Sequence, residues 1–112
     1  MNYETTEVNG VTFLNIYTKR ATADIAKDFK AYLFNIIEAD EKKKIIIDLS
    51  RVEFVDSSFL GAIVSGLKKV TGIKGDIKVL GLQPPVRAMF ELTRLYKVFE
   101  IFETSDDAVL SF

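Results

Sequence analysis

Neither cysteine nor histidine occurs among the 112 residues of the chain. Without cysteine there is no disulfide framework, no thiolate metal site and no thiol nucleophile. Without histidine the commonest general base and the commonest metal ligand are missing, and with them every Ser-His dyad. There are only two prolines, Pro84 and Pro85, and because they are adjacent they punctuate a single boundary. No apolar run approaches the roughly 18 residues of a membrane span, and no basic-then-apolar signal pattern opens the chain. Lys and Arg number 15 against 16 Asp and Glu, a net charge of −1. That balance offers no basic field to a polyanion, so neither nucleic acid nor membrane is expected as a partner. Together these absences point to a cytoplasmic protein with no metal and no cofactor, and they weigh against an enzyme.

What is present suits an ordinary globular domain: 48% of residues are hydrophobic and 28% charged. The length fits one domain over residues 1–112, able to bury roughly two thirds of its unfolded surface. Asn9-Gly10 supplies the positive-φ pair of a tight type I′ turn, so the first twenty residues read as an antiparallel hairpin. The β-branched and aromatic run Val11 to Tyr17 is its second strand. From Thr22, a plausible N-cap, the apolar period becomes helical at Ile25, Phe29, Tyr32, Leu33, Ile36 and Ile37. The charge run Asp40 to Lys44 is short and carries both signs, as a solvated loop does. Ile45-Ile46-Ile47 reads as a central strand buried on both faces.

A second helix is expected from Ser57 to about Thr71, with a core stripe at Leu60, Ile63, Val64, Leu67 and Val70 and with Gly72 and Gly75 ending it. Ile77 to Leu80 is another strand. Pro84-Pro85 opens a third helix, where a missing N–H costs nothing, with Val86, Met89, Phe90 and Thr93 facing inward. Val98 to Phe102 reads as a last strand, and Thr104-Ser105-Asp106-Asp107 starts a short helix ending near Leu110. The order is β-β-α-β-α-β-α-β-α. Strands alternating with helices after residue 40 imply parallel neighbours with right-handed crossovers, and the opening hairpin makes the sheet mixed. The fold class is α/β.

Asp48 to Gly61 carries the most information. A strand leaves into a loop that delivers Asp56-Ser57-Ser58 to the first turn of a helix. The first four N–H groups there lack intrahelical partners, and the aligned peptide dipoles leave partial positive charge. Asp56 can cap those donors, worth about 1 kcal/mol relative to Ala. The hydroxyls of Ser57 and Ser58 lie where the same donors would welcome a phosphate. Such a group adds about −1.5 to −2 charges beside the Asp56 carboxylate. Plain capping of a helix start accounts for the same three residues.

Asp56-Ser57-Ser58-Phe59-Leu60-Gly61, preceded by Ile45-Ile46-Ile47-Asp48-Leu49, resembles the motif of STAS domains, and within them the anti-sigma factor antagonists of the SpoIIAA and RsbV type. The family string is Asp-Ser-[Ser/Thr]-Gly-Leu-Gly. A second stretch is similar as well: Pro85-Val86-Arg87, Phe90-Glu91-Leu92-Thr93, Leu95, Lys97 to Phe102 and Asp106-Asp107-Ala108. The likeness in element order extends over residues 4–112. It implies a partner-switching regulator that, unphosphorylated, binds an anti-sigma factor and thereby frees a sigma factor. The anti-sigma factor is also a serine kinase; it modifies the serine after the Asp, here Ser57, and a PP2C-type phosphatase reverses this. On a helical wheel Ser58 lies opposite the core stripe and Ser57 nearer its flank, so Ser58 stays open as the alternative.

Two departures bear on the partner. Phe59 stands in place of the motif's glycine, either as an aromatic anchor at the surface beside Ala62 or as packing against the neighbouring helix. Thr22 stands where family members carry an Asp, and Asp24 is two residues away. The partner surface expected from the resemblance and these departures is Thr22, Asp24, Asp56, Ser57, Ser58, Phe59 and Ala62; where the chain departs from the family pattern, Lys19 and Arg20 instead favour a more acidic partner face. The alternative reading is a phosphorylation-independent interaction subunit of a transporter or stressosome-like complex.

Other motifs carry less. Gly66-Leu67-Lys68-Lys69-Val70-Thr71 lacks the second glycine of a phosphate loop and lies inside a helix. Asp48, Glu53 and Asp56 have no fixed metal-ligand spacing and read as solvated loop acids. Neither serine sits on a Gly-x-Ser-x-Gly elbow, so a small nucleotide-binding or hydrolytic enzyme has no machinery here and no catalytic residue is expected.

Overall fold

Asn9 and Gly10 both hold positive φ, 51° and 80°, as a two-residue type I′ turn requires. The turn folds β1 (Tyr3–Val8) back on β2 (Val11–Ile16), pairing Val8 with Val11 and Tyr3 with Ile16. The structure, a computed structural model, describes residues 2–112. After the hairpin come β3 (Arg20–Ala21), α1 (Ala23–Glu38), β4 (Lys44–Asp48), β5 (Phe54–Val55), α2 (Ser57–Thr71), β6 (Asp76–Leu80) and α3 (Pro84–Leu92). A 3-10 turn at Leu95–Lys97, β7 (Ile101–Phe102) and α4 (Ser105–Leu110) complete the chain. The main sheet has the order β1-β2-β4-β6-β7, antiparallel only at β1-β2 and parallel throughout the rest. The expected mixed α/β sheet with its opening hairpin is therefore present.

The isoleucine run shows why β4 is central. Ile45 and Ile47 point into the larger core with α1, α2 and α3, while Ile46 points into a smaller cluster under α4. All three are fully buried, the two-faced burial of a strand covered on both sides. In the larger core Phe29 and Leu33 of α1 meet Phe59 and Ile63 of α2 above the sheet. The helices approach closely at Gly66, where a Cβ would press into the Leu33 side chain. On the opposite face Lys78 of β6, 5% exposed, donates from Nζ to the carbonyl and hydroxyl oxygens of Ser111, both at 2.8 Å. It also lies 4.4 Å from the centre of the Phe112 ring, so the chain end is held against the sheet.

Three expectations need correction. The last strand is two residues long, not Val98 to Phe102. Arg94 turns into the left-handed region (φ 61°), Leu95–Lys97 winds as 3-10, and the Val98 and Phe99 amides donate back to the Leu95 carbonyl instead of to a strand. Val98 is in consequence 52% exposed. Thr93 does not face inward: it ends α3 exposed, and its hydroxyl donates to the Met89 carbonyl. Thr22 holds the N-cap position of α1 but its side chain makes no capping bond.

Candidate functional site

β2, β4 and β6 run parallel, so their carboxyl ends share one end of the sheet, and each leads through a loop into a helix N-terminus. That end of an open parallel sheet is where such folds place their sites. Two of the loops are stitched together. β3 pairs parallel with β5, Arg20 against Phe54 and Ala21 against Val55. The Lys19 carbonyl accepts from the Glu53 and Phe54 amides at 2.7 and 3.2 Å. The third loop joins them where Gln83 Nε2 donates to the Ser50 carbonyl at 2.9 Å.

The stitch brings the N-termini of α1 and α2 to one carboxylate. Asp56 caps its own helix, Oδ1 accepting from the Phe59 amide at 3.0 Å. Its Oδ2 accepts from the Ala23 amide, the first of α1, at 2.9 Å. One negative charge thus sits between the positive ends of two helix dipoles, where hydrogen bonds to an ionised acceptor are strongest.

Around that carboxylate lie the residues singled out in the sequence. Asp56 and Thr22 are half-buried; Ser57, Ser58 and Asp24 are exposed. Exposure does not separate the two serines, although the helical wheel favoured Ser58. The Asp56–Ala23 bond sets Thr22 and Asp24 at the start of α1 beside Asp56, Ser57 and Ser58 at the start of α2. Phe59 is not part of it. Its ring is fully buried on α1 with 0% exposure, so of the two roles open to it packing against the neighbouring helix is the one it plays. Ala62, 5% exposed, is likewise turned inward, at the floor of a shallow groove between Lys27 and Lys30 of α1 and Ser58 and Ser65 of α2.

The rim is cationic and aromatic. The Arg20 guanidinium lies 4.6 Å over the Phe54 ring, and that of Arg51 lies 5.0 Å over Tyr17. The Tyr17 hydroxyl donates to Glu4 Oε1 at 2.8 Å, and this bond raises the phenol's pKa above its ordinary value. Lys19 reaches Glu53 only at 4.0 Å with both side chains largely in water, a pair worth little. Asp48 accepts from the Ser50 amide and hydroxyl and pairs with Arg51 at 3.7 Å, so it, Glu53 and Asp56 each serve loop contacts. No cluster of three acidic side chains suited to a metal occurs among the described residues.

Sequence periodicity missed β3 and β5, because two residues cannot show a period. It also missed the Ala23 amide, which no side-chain pattern announces.

The profile of the STAS domain family matches residues 2–108. The chain belongs to the STAS domain family. A putative anti-sigma factor antagonist of Thermotoga neapolitana is 30% identical over 91 residues, 81% of this chain and 80% of that one. The anti-sigma F factor antagonist of Paenibacillus polymyxa is 27% identical over 73 residues, covering 65% of this chain and 62% of its own length. Among solved structures, an anti-sigma factor antagonist from Mycobacterium paratuberculosis superposes with a TM-score of 0.86 at 26% identity, over 97% of this chain and 91% of that one. The STAS fold is shared too with the Bacillus cell-fate determinant SpoIIAA in its phosphorylated form, with a TM-score of 0.74, 18% identity and 96% of each chain covered. No helix among the described residues is long and apolar enough to cross a membrane.

Proposed function

We propose that this STAS protein is an anti-sigma factor antagonist that works by partner switching, with Ser57 as its modified residue. The observation that carries the reading is the exposed Ser57 hydroxyl at the first position of α2, next to a carboxylate shared by two helix N-termini. The names of the Thermotoga and Paenibacillus relatives support it. The partner is an anti-sigma factor with serine kinase activity, and it docks on the surface formed by Thr22, Asp24, Asp56, Ser57 and Ser58. Its capture frees a sigma factor. The protein is a substrate and a docking partner, not an enzyme, and residues 1–112 act as one domain.

The chemistry at Ser57 is phosphoryl transfer. Oγ forms a bond to the γ-phosphorus of ATP, the β,γ-anhydride bond breaks, ADP leaves, and the hydroxyl proton passes to a base of the kinase. The product carries about −1.5 to −2 charges beside Asp56, so an interface that fitted a neutral hydroxyl now has like-charge repulsion and a costly desolvation. The complex dissociates without any change of fold. A PP2C-type phosphatase hydrolyses the ester and resets the protein.

The test is intact-mass analysis with site mapping after incubation with ATP and each candidate anti-sigma kinase of the same organism. One phosphate on Ser57 accompanied by loss of the complex is the expected result. Ser57→Ala should bind constitutively and Ser57→Asp poorly; equal binding by the two variants sinks the charge mechanism. Phosphate on Ser58 alone would move the site by one residue. Absence of phosphate with every kinase would favour a phosphorylation-independent interaction subunit.

A further inference from the structure

The first turn of α1 has no side-chain cap of its own. Thr22 holds extended backbone (φ −131°) and its hydroxyl caps nothing, while its carbonyl serves the Ile25 and Ala26 amides at 3.0 Å. The Ala23 amide is satisfied from 33 residues away, by Asp56 Oδ2 at 2.9 Å. The other oxygen of that carboxylate is committed to Phe59 in α2 at 3.0 Å. The backbone of Asp56 is tied to the same loop pair, its amide donating to the Ala21 carbonyl at 3.4 Å. A helix start that relies on a neighbouring helix's acid inherits whatever happens to that acid.

We infer that Asp56 is a positioning residue through which the state of Ser57 sets the order of the first turn of α1. The inference rests on the partner-switching reading and names its route within the molecule. A phosphoryl group on Ser57 brings its charge one residue from the carboxylate and competes for the same α2 amides. Repulsion and competition turn the Asp56 side chain away. Ala23 then loses its acceptor, and Thr22 supplies no substitute. Thr22 and Asp24 loosen as Ser57 gains its charge, so one event alters both halves of the proposed partner surface. The core behind them, with Phe29 and Phe59 fully buried, stays in place.

The experiment uses the full chain with a phosphoryl group installed chemically on Ser57, so no kinase is needed. Amide exchange with water is read by NMR at Ala23, Phe59 and, as an internal control, Leu33. Loss of a charged cap predicts a rise of about 5- to 10-fold in exchange at Ala23 and none at Leu33. Asp56→Ser gives a second measurement that needs no phosphate. A serine can still cap α2 but is too short to span to α1, so Ala23 exchange should rise while Phe59 stays protected. Unchanged Ala23 exchange in the phosphorylated chain, or in Asp56→Ser, overturns the inference. Partner binding separates it from the reading beneath it. Release of the partner with Ala23 unaffected removes the coupling and leaves partner switching standing. Continued binding with Ala23 exchange raised leaves the coupling and removes partner switching.

Discussion

The Phe59 ring packs on Phe29 with centroids 4.6 Å apart and planes tilted by 36°, directly behind the paired N-termini of α1 and α2. Tyr3 of β1 meets Phe29 edge-on at 5.5 Å, so three aromatic rings tie the hairpin to both helices. Aromatic pairs in these geometries add about 0.5–1.5 kcal/mol to the burial of their area. Phe59→Ala should destabilise the protein by about 3–5 kcal/mol in denaturant titrations, the usual cost of emptying a buried aromatic site. At a temperature where the variant is folded, its affinity for the partner should match that of the parent. A selective loss of affinity in the folded variant would restore Phe59 to the interface.

Gly66 is where α1 and α2 touch, and a methyl group there must displace Leu33, a fully buried residue. Gly66→Ala gains about 1 kcal/mol of helix propensity and loses about 1–3 kcal/mol to overpacking. The expected balance is a destabilisation of about 1 kcal/mol, read as a lowered denaturant midpoint. A stabilised variant would show that Leu33 can move aside freely.

Alkaline pH should weaken the fold through Tyr3. Burial first, and then its hydrogen bond to Asp28 and the charge there, raise the Tyr3 pKa well above the ordinary 10.0. The folded state therefore holds the phenolic proton more tightly than the unfolded state does. The stabilisation is fully present below pH 10 and falls as pH climbs above it. Tyr3→Phe should cost about 1 kcal/mol at neutral pH for the lost hydrogen bond and should flatten stability against pH above 10. Parallel curves for parent and variant across that window would contradict the assignment.

Lys19 and Arg20 sit on the rim of the proposed surface, Lys19 with a side chain 78% exposed. If the partner face is acidic, the pair acts mainly on encounter. Lys19→Glu combined with Arg20→Glu should lower the association rate and reverse its dependence on salt, with a smaller effect on dissociation. Identical association kinetics would mean that these cations face away from the partner.

Much of this architecture was legible in the residues. Asn9-Gly10 marked the hairpin, the isoleucine triplet the central strand, Ser57 to Thr71 the second helix and Pro84-Pro85 the third, because turn chemistry and apolar period both act locally. The last strand was overread because Val98 to Phe102 has strand composition, whereas the left-handed Arg94 and the 3-10 turn after it decide the path. Phe59 was ambiguous because a helical wheel assigns one buried face, while α2 is covered by the sheet on one side and by α1 on another. The site was half visible. Asp56-Ser57-Ser58 announced a capped helix start, but the second helix that shares the cap lies 33 positions earlier, and only the folded chain brings it there.

The two-residue pairing of β3 with β5 also limits how the molecule can change in length. Adding one residue within Arg20–Ala21 or within Phe54–Val55 would slide Ala21 off Val55 and carry Asp56 out of reach of Ala23. The hairpin tip at Asn9-Gly10 and the charged connection at residues 39–43, at the far end of the sheet, carry no such tie to Asp56. Insertions, tags and grafted epitopes belong there, and a library that randomises loop lengths should recover survivors almost entirely from that end.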